Sequence, residues 1–343
     1  MKTLYIFVHD SDNFIKQNTT MRKLFLSAIF AIATMFATIN AQEHNTTLSA
    51  QIYGYKGEMV YFDCVQTPLI HQEFYTNPGE EHLYQFSIDN TVCMLINGKT
   101  KLLMQTGDSL FVEMRYEGRN IDITFSGCDN AVRNNNFLQD IDNLKRDLRY
   151  KSQLLGCVAL DIKPKERIDD SRTLLAKVNE MIANSQLDKD VANYILAGIE
   201  SEAYLSFMEY PVMYASVRGT AVEEQEIGDY WSIMDGFEPR QDAASLSNPE
   251  YASLLMRYCF FANEKKAAAA GENYRMPSRL ESIYAEIAEF YTGAPRDFVL
   301  YNLLCNFIKN GQEIERADAL YSDYKEKYNI NKEYIHILDS ILQ

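Results

Sequence analysis

The sequence predicts an α+β protein: an N-terminal antiparallel β-sandwich or partly open barrel, followed by an irregular antiparallel helical bundle. Three observations carry this. Apolar residues recur with period two from Thr46 to Ser126, the period becomes 3.6 after Gly127, and no fixed-length repeat joins the helical segments into a solenoid. The expected divisions are a signal peptide over 1–41, a β domain over 42–127 and a helical domain over 128–343.

Arg22 and Lys23 precede an uncharged run, Leu24 to Ile39, that ends in Asn40-Ala41-Gln42. This is a basic region, an apolar region and a small residue at the expected cut between Ala41 and Gln42. As a helix the run rises about 24 Å, short of the roughly 30 Å hydrocarbon core, so a cleaved signal peptide is expected rather than a membrane anchor. Asp10 and Asp12 put acidic charge where such a signal is normally basic, which points to translation starting at Met21. No cysteine stands at the cut, so the expected location is periplasmic or secreted, without a lipid anchor.

In the β region, Leu110, Val112, Met114 and Tyr116 share one face of a strand, and Glu113, Arg115 and Glu117 the other. Ile121, Ile123 and Phe125 alternate with Asn120, Asp122 and Thr124 in the same way. Asn97-Gly98 supplies the two positive-φ residues of a type I′ turn between Val92–Ile96 and Thr100–Gln105. With turns at Thr106-Gly107-Asp108 and Glu117-Gly118, the last four strands read as one antiparallel meander. Leu48–Tyr53, Glu58–Cys64, His71–Tyr75 and Leu83–Ile88 supply the other strands.

Beyond Gly127, Phe137, Ile141, Leu144 and Leu148 form the stripe of a first helix. Ile168, Leu175, Val178 and Ile182 mark a second, and Val191, Ile195, Ile199 and Phe207 a third. Glu209 to Leu246, which holds the single tryptophan Trp231, is the least periodic part. Asn248-Pro249 opens the next helix with a polar cap and a proline whose missing N–H costs nothing there. Leu280 to Phe290, a helix opened by Pro295 and stopped by Gly311, Ile314 to Tyr328 and Glu333 to Leu342 complete the chain. Lys265-Lys266 and the alanines up to Gly271 read as a solvated helix end.

Composition excludes whole classes of function. The chain has 343 residues, 47% apolar and 24% charged, with a formal charge of -15; leaving out 1–41 makes it -17. So acidic a surface repels phosphate backbones and anionic headgroups, so no nucleic-acid partner and no stable membrane docking are expected. The six cysteines, Cys64, Cys93, Cys128, Cys157, Cys259 and Cys305, include no close pair, so spacing writes neither a zinc site nor a redox dithiol. Most read as small buried hydrophobes, and a Cys64–Cys93 bridge between two strands is the best disulfide candidate.

Several motifs promise chemistry that their surroundings withdraw. Gly107-Asp108-Ser109-Leu110 spells an esterase signature, but a strand follows Ser109 and no Asp-x-x-His exists to activate it. Tyr321 and Lys325 have dehydrogenase spacing without a Gly-rich nucleotide turn. His71 and His82 lack an obvious third metal ligand, and Glu223, Glu224 and Glu226 lack the alternating oxygen ligands of a calcium loop. Asp108-Ser109-Leu110 and Asp339-Ser340-Ile341 resemble O-glycan acceptor sites of Bacteroidetes. Tyr53, Tyr55, Tyr61, Tyr75 and Tyr84 would suit a glycan or peptide groove if clustered and exposed, although core packing and strand propensity explain most of them. No catalytic residue, metal ligand or cofactor is therefore assigned.

Short phrases in order carry a family resemblance: Ile52-Tyr53-Gly54, Val60-Tyr61-Phe62, Thr106-Gly107-Asp108-Ser109-Leu110, Ser126-Gly127, Asn134-Asn135-Asn136-Phe137-Leu138 and Pro249-Glu250-Tyr251-Ala252. Gly293-Ala294-Pro295-Arg296-Asp297-Phe298-Val299-Leu300-Tyr301 and Ala317-Asp318-Ala319-Leu320-Tyr321-Ser322-Asp323-Tyr324-Lys325 close the series. Together they resemble the accessory region, a small β domain plus helices, of exported TlpA-like thiol-disulfide oxidoreductases of Bacteroidetes. In that family the reactive cysteines and the cis-proline loop lie in a thioredoxin domain, to which no position here corresponds. The resemblance implies a non-catalytic envelope binding protein that holds an envelope protein or a thioredoxin-like enzyme in trans. The alternative it implies is one half of such an oxidoreductase, with the thioredoxin domain missing or separately encoded.

Overall fold

A computed structural model of the chain describes residues 44–118, 120–150, 160, 162–311 and 314–342. The expected signal segment, its cut at Ala41 and Gln42, the start at Met21 and Cys157 lie outside the described residues. The described part is α+β, as the change of period requires. Its strands are β1 (Thr46–Tyr53), β2 (Met59–Cys64), β3 (His71–Tyr75), β4 (Glu81–Phe86), β5 (Val92–Ile96), β6 (Thr100–Met104), β7 (Ser109–Glu117) and β8 (Asn120–Gly127). They form two four-stranded sheets, ordered β4-β1-β7-β8 and β3-β2-β5-β6.

The inner faces of both sheets share one core. Leu48, Ala50 and Ile52 of β1 and Val112 and Met114 of β7 meet Val60 and Phe62 of β2, Met94 of β5 and Leu102 of β6, all buried. Asn97 and Gly98 have φ of 53° and 65°, and the hairpin they close pairs Ile96 with Thr100. The expected four-strand meander is wrong. β5–β6 and β7–β8 are separate hairpins in different sheets, and β7 pairs with β1 in parallel, Leu48 opposite Leu110 and Ala50 opposite Val112. The chain changes sheet at Asp108, whose carboxylate accepts from Gln105 N at 2.7 Å while its carbonyl accepts from Thr47 N at 2.8 Å.

Eight helices follow among the described residues: α1 (Asp129–Asp147), α2 (Pro164–Ala183), α3 (Lys189–Arg218), α4 (Pro249–Ala270), α5 (Leu280–Phe290), α6 (Gly293–Lys309), α7 (Ile314–Lys327) and α8 (Lys332–Ile341). The predicted caps are present where a side chain matters most: Asn248 accepts from Glu250 N at 3.0 Å and opens α4 before Pro249. One boundary differs. The third helix runs on through Pro211 to Arg218, where the sequence shows only loss of period, because Tyr210, Pro211 and Ala215 are themselves buried. Burial of that turn outweighs the one backbone hydrogen bond that proline deletes.

The outer face of the β3-β2-β5-β6 sheet carries Cys93 and Leu103 into a second core with Phe137, Ile141, Leu174, Val178, Val191 and Ile195. Sandwich and helices therefore share buried surface, and Asn45–Gln343 forms one compact unit, although the secondary structure does change at Gly127. Gln66 ties the layers: its Oε1 accepts from Cys93 N at 3.0 Å, its Nε2 donates to Tyr194 Oη at 3.0 Å, and its carbonyl accepts from Tyr301 Oη at 3.1 Å. The remaining helices close round a third core built from Tyr251, Leu255, Phe261, Ile287, Val299 and Leu304.

Candidate functional site

Where β8 hands over to α1, a cleft of about 610 Å³ opens between Phe125, Ser126 and Gly127, one face of α1, and Ser185 and Gln186 of the α2–α3 connection. The α1 residues that line it, Asp129, Val132, Arg133, Asn136, Phe137 and Asp140, recur at helical spacing, so one face supplies them all. Gly127 is obligatory at the corner. Its φ is 132°, and a Cβ there would lie 2.1 Å from Ser109 O, inside any allowed contact.

The polar groups of this cleft are only partly satisfied. Cys128 is the N-cap of α1 but offers its backbone no side-chain acceptor; its thiol turns instead to Asp108 Oδ1 at 3.4 Å. Arg133 donates from Nη2 to Asn130 Oδ1, and its Nε is sealed from solvent with no partner. No described carboxylate pairs with Arg133. Donors (Arg133, Asn136, Gln186) thus stand beside acceptors (Asp129, Asp140) around the rings of Phe125 and Phe137. That mixture suits a neutral ligand rich in hydroxyl or amide groups, with an apolar face for the rings.

Asn134 and Asn135 sit behind this wall. Asn135 is fully buried and works as a substitute strand: its Oδ1 accepts from Leu103 N at 2.9 Å, and its Nδ2 donates to Leu103 O at 2.9 Å and Ala131 O at 2.8 Å. The open edge of β6 is closed by a side chain. No periodicity argument could have found this, because a mid-helix asparagine ordinarily reads as solvent-facing.

The candidates drawn from the sequence are scattered. Cys64 faces the sandwich core opposite Met94, and Cys93, one residue out of register, faces the helices; both thiols are free. The suggested Cys64–Cys93 bridge is thereby corrected, since adjacent residues of a strand point to opposite faces. Burial raises the thiols of Cys64 and Cys305 and pushes those of Cys93 and Cys259 up to about 12. Ser109 begins β7, and Asp108 beside it is bound into the turn. Tyr321 donates to Asp339 at 2.5 Å while Lys325 lies 3.7 Å from the same carboxylate, a tie between α7 and α8. Ser340 donates back to His336 O at 2.8 Å.

The tyrosines do not form one groove. Tyr84 stacks on Phe86, Tyr55 meets Tyr116, Arg115 covers Tyr53 and Tyr61 stacks on His71, while Tyr75 is strongly exposed. The histidines belong to different sheets: His82 is buried against Phe74, its pKa lowered by that burial, and His71 lies outside. Among the described residues no group of three His, Cys, Asp or Glu could hold a metal ion.

His71 lies between Asp63 Oδ1 at 2.5 Å and Glu73 Oε1 at 3.1 Å. The hydrogen bond that its ring donates to Asp63 raises its pKa most, desolvation opposes this, and Glu73 adds to the rise. A folded pKa above the unfolded value of about 6.5 stabilises the fold fully below that value, and the gain is lost as pH rises through the folded pKa. The ring is 39% exposed, so the expected gain is under about 1 kcal/mol. An NMR titration should give an imidazole pKa above the free value that returns to it in Asp63→Asn; an unchanged titration would disprove the pairing.

No protein-family model, curated protein or solved structure matches the chain.

Proposed function

We propose that the chain is an exported, non-catalytic binding or interaction protein of the cell envelope, related to the accessory region of thioredoxin-like oxidoreductases, and that the β8–α1 cleft holds its ligand. The observation that carries the reading is Arg133, a guanidinium in the wall of a concave, mixed-polarity cleft with no ion-pair partner among the described carboxylates. Its position adds support, since the cleft is built from Ser126-Gly127 and Asn136-Phe137, phrases through which the family resemblance runs. The basic and apolar segment before Gln42 supports export, and no described helix is long and apolar enough to cross a membrane.

The buried thiols support a role without redox exchange, because a thiol raised to about 12 holds almost no thiolate at neutral pH. The partner this reading favours is an envelope protein or a thioredoxin-like enzyme acting in trans.

The test is a panel of neutral oligosaccharides and unstructured peptides presented to the full chain, to Arg133→Ala and to Asp140→Ala. At least one ligand should bind the parent and lose tenfold or more in Arg133→Ala, with the melting temperature held. A panel on which parent and Arg133→Ala behave alike would overturn the cleft assignment. Insulin reduction by the purified chain would overturn the non-catalytic reading.

A further inference from the structure

A second polar cluster, independent of the cleft, lies where α2 packs on α3. Arg167 is 2% exposed, yet no described carboxylate forms an ion pair with it. Asp170, on the same helix, makes no ion pair with it, although the guanidinium's charge reaches that carboxyl and opposes the rise that burial gives it. The guanidinium lies over the ring of Tyr150 at 4.1 Å and that of Tyr210 at 5.9 Å. Its Nε and Nη2 both donate to a single oxygen, Ser206 Oγ, at 3.2 and 3.0 Å. An arginine has five N–H donors, so most of the fork is left over.

The hydroxyls around it are already committed. Ser206 donates to Glu202 O and Ser171 to Arg167 O, each at 2.8 Å, and Tyr150 Oη lies 2.9 Å from Ser171 Oγ and 3.3 Å from Ser206 Oγ. These groups supply dipoles and ring faces to the cation but no negative charge. Nη1 has no described acceptor. Burying a guanidinium without a counter-charge costs several kcal/mol, and aromatic faces offset only about 2 kcal/mol of that.

We propose that Arg167 is the floor of a binding site for a small oxyanion, whose two oxygens take the outer N–H groups of the guanidinium. A planar carboxylate and a tetrahedral phosphate or sulfate present the same two-oxygen edge, and the fork fits either. The chain's strong negative charge keeps large polyanions away, which restricts the site to small species.

Thermal unfolding of the full chain tests this in acetate, phosphate and sulfate at matched ionic strength, with chloride as reference. One of the three should raise the melting temperature saturably, by about 2 °C at ten times its half-saturating concentration, the value set by linkage for a chain of this size. Arg167→Met should abolish the anion dependence. Should that variant not fold, Arg167→Lys keeps the charge, loses the planar fork and should weaken the response tenfold or more. Response to acetate alone assigns a carboxylate, and response to phosphate or sulfate a tetrahedral anion. Equal shifts in chloride, or an anion response that survives in both Arg167 variants, would overturn the proposal.

Discussion

Replacing Asp297 by alanine is expected to destabilise the chain by about 4 kcal/mol, seen as a lower denaturation midpoint with an unchanged slope. Asp297 is 2% exposed on the first turns of α6 and carries four hydrogen bonds. Oδ1 accepts from Tyr324 Oη at 2.5 Å and Asn329 Nδ2 at 3.4 Å; Oδ2 accepts from Ile330 N at 3.0 Å and Asn331 N at 2.7 Å. One carboxylate thus holds the turn between α7 and α8, and Asn331 of that turn is the N-cap of α8. Alanine leaves a buried tyrosine hydroxyl and two backbone N–H groups without acceptors, each worth about 1–3 kcal/mol. Asp297→Asn keeps an acceptor for part of the set and should lose about half as much. A loss below 1 kcal/mol in Asp297→Ala would show that the turn is held by something else.

Asn135→Leu should cost about 3 kcal/mol, although it replaces a polar residue by an apolar one of similar size in a fully buried place. Hydrophobicity alone predicts the opposite sign. The side-chain amide is the only described partner that closes the outer edge of β6 at Leu103, and leucine would strand that N–H and C=O between sheet and helix. Hydrogen exchange at Leu103 should accelerate in the variant more than at Leu110 on the other sheet. Unchanged stability with unchanged exchange would remove Asn135 from the edge.

Much of this was legible along the chain, and the residues show why. Asn97-Gly98, the alternation from Leu110 to Tyr116 and the Asn248-Pro249 cap act within a few neighbours, so local geometry suffices to read them. The buried stripes of α1 to α3 follow from the helical period in the same way. The meander could not be told from a sheet crossing, because Leu102, Met104, Leu110 and Val112 alternate identically whether β6 and β7 pair or face each other across a core. The loss of period after Glu209 hid the helix that runs on through Pro211, because local pattern knows nothing of the burial around Tyr210. A Cys64–Cys93 bridge was plausible only until the register set Met94 opposite Cys64.

The candidate site was less legible than the fold. The phrases Ser126-Gly127 and Asn134 to Phe137 carried only the family resemblance and marked no site, while Ser185 and Gln186 reach the cleft from a distant connection, where nothing near them signals a wall. Arg133 and Arg167 look like ordinary helix arginines in sequence; only packing decides whether such a side chain finds water, an acid or neither.

By itself the sequence determined the order of strands and helices, the place where one period gives way to the other, the acidic surface and the absence of a close thiol pair. Those properties depend on residues near in the chain or on simple counts. Tertiary structure alone decided which strands pair, which face each cysteine takes, that an asparagine serves as a strand edge, and that two guanidiniums are left short of acceptors. Each of these turns on groups brought together from far apart in the chain, where burial changes the worth of a charge or a hydrogen bond and local pattern carries no record of it.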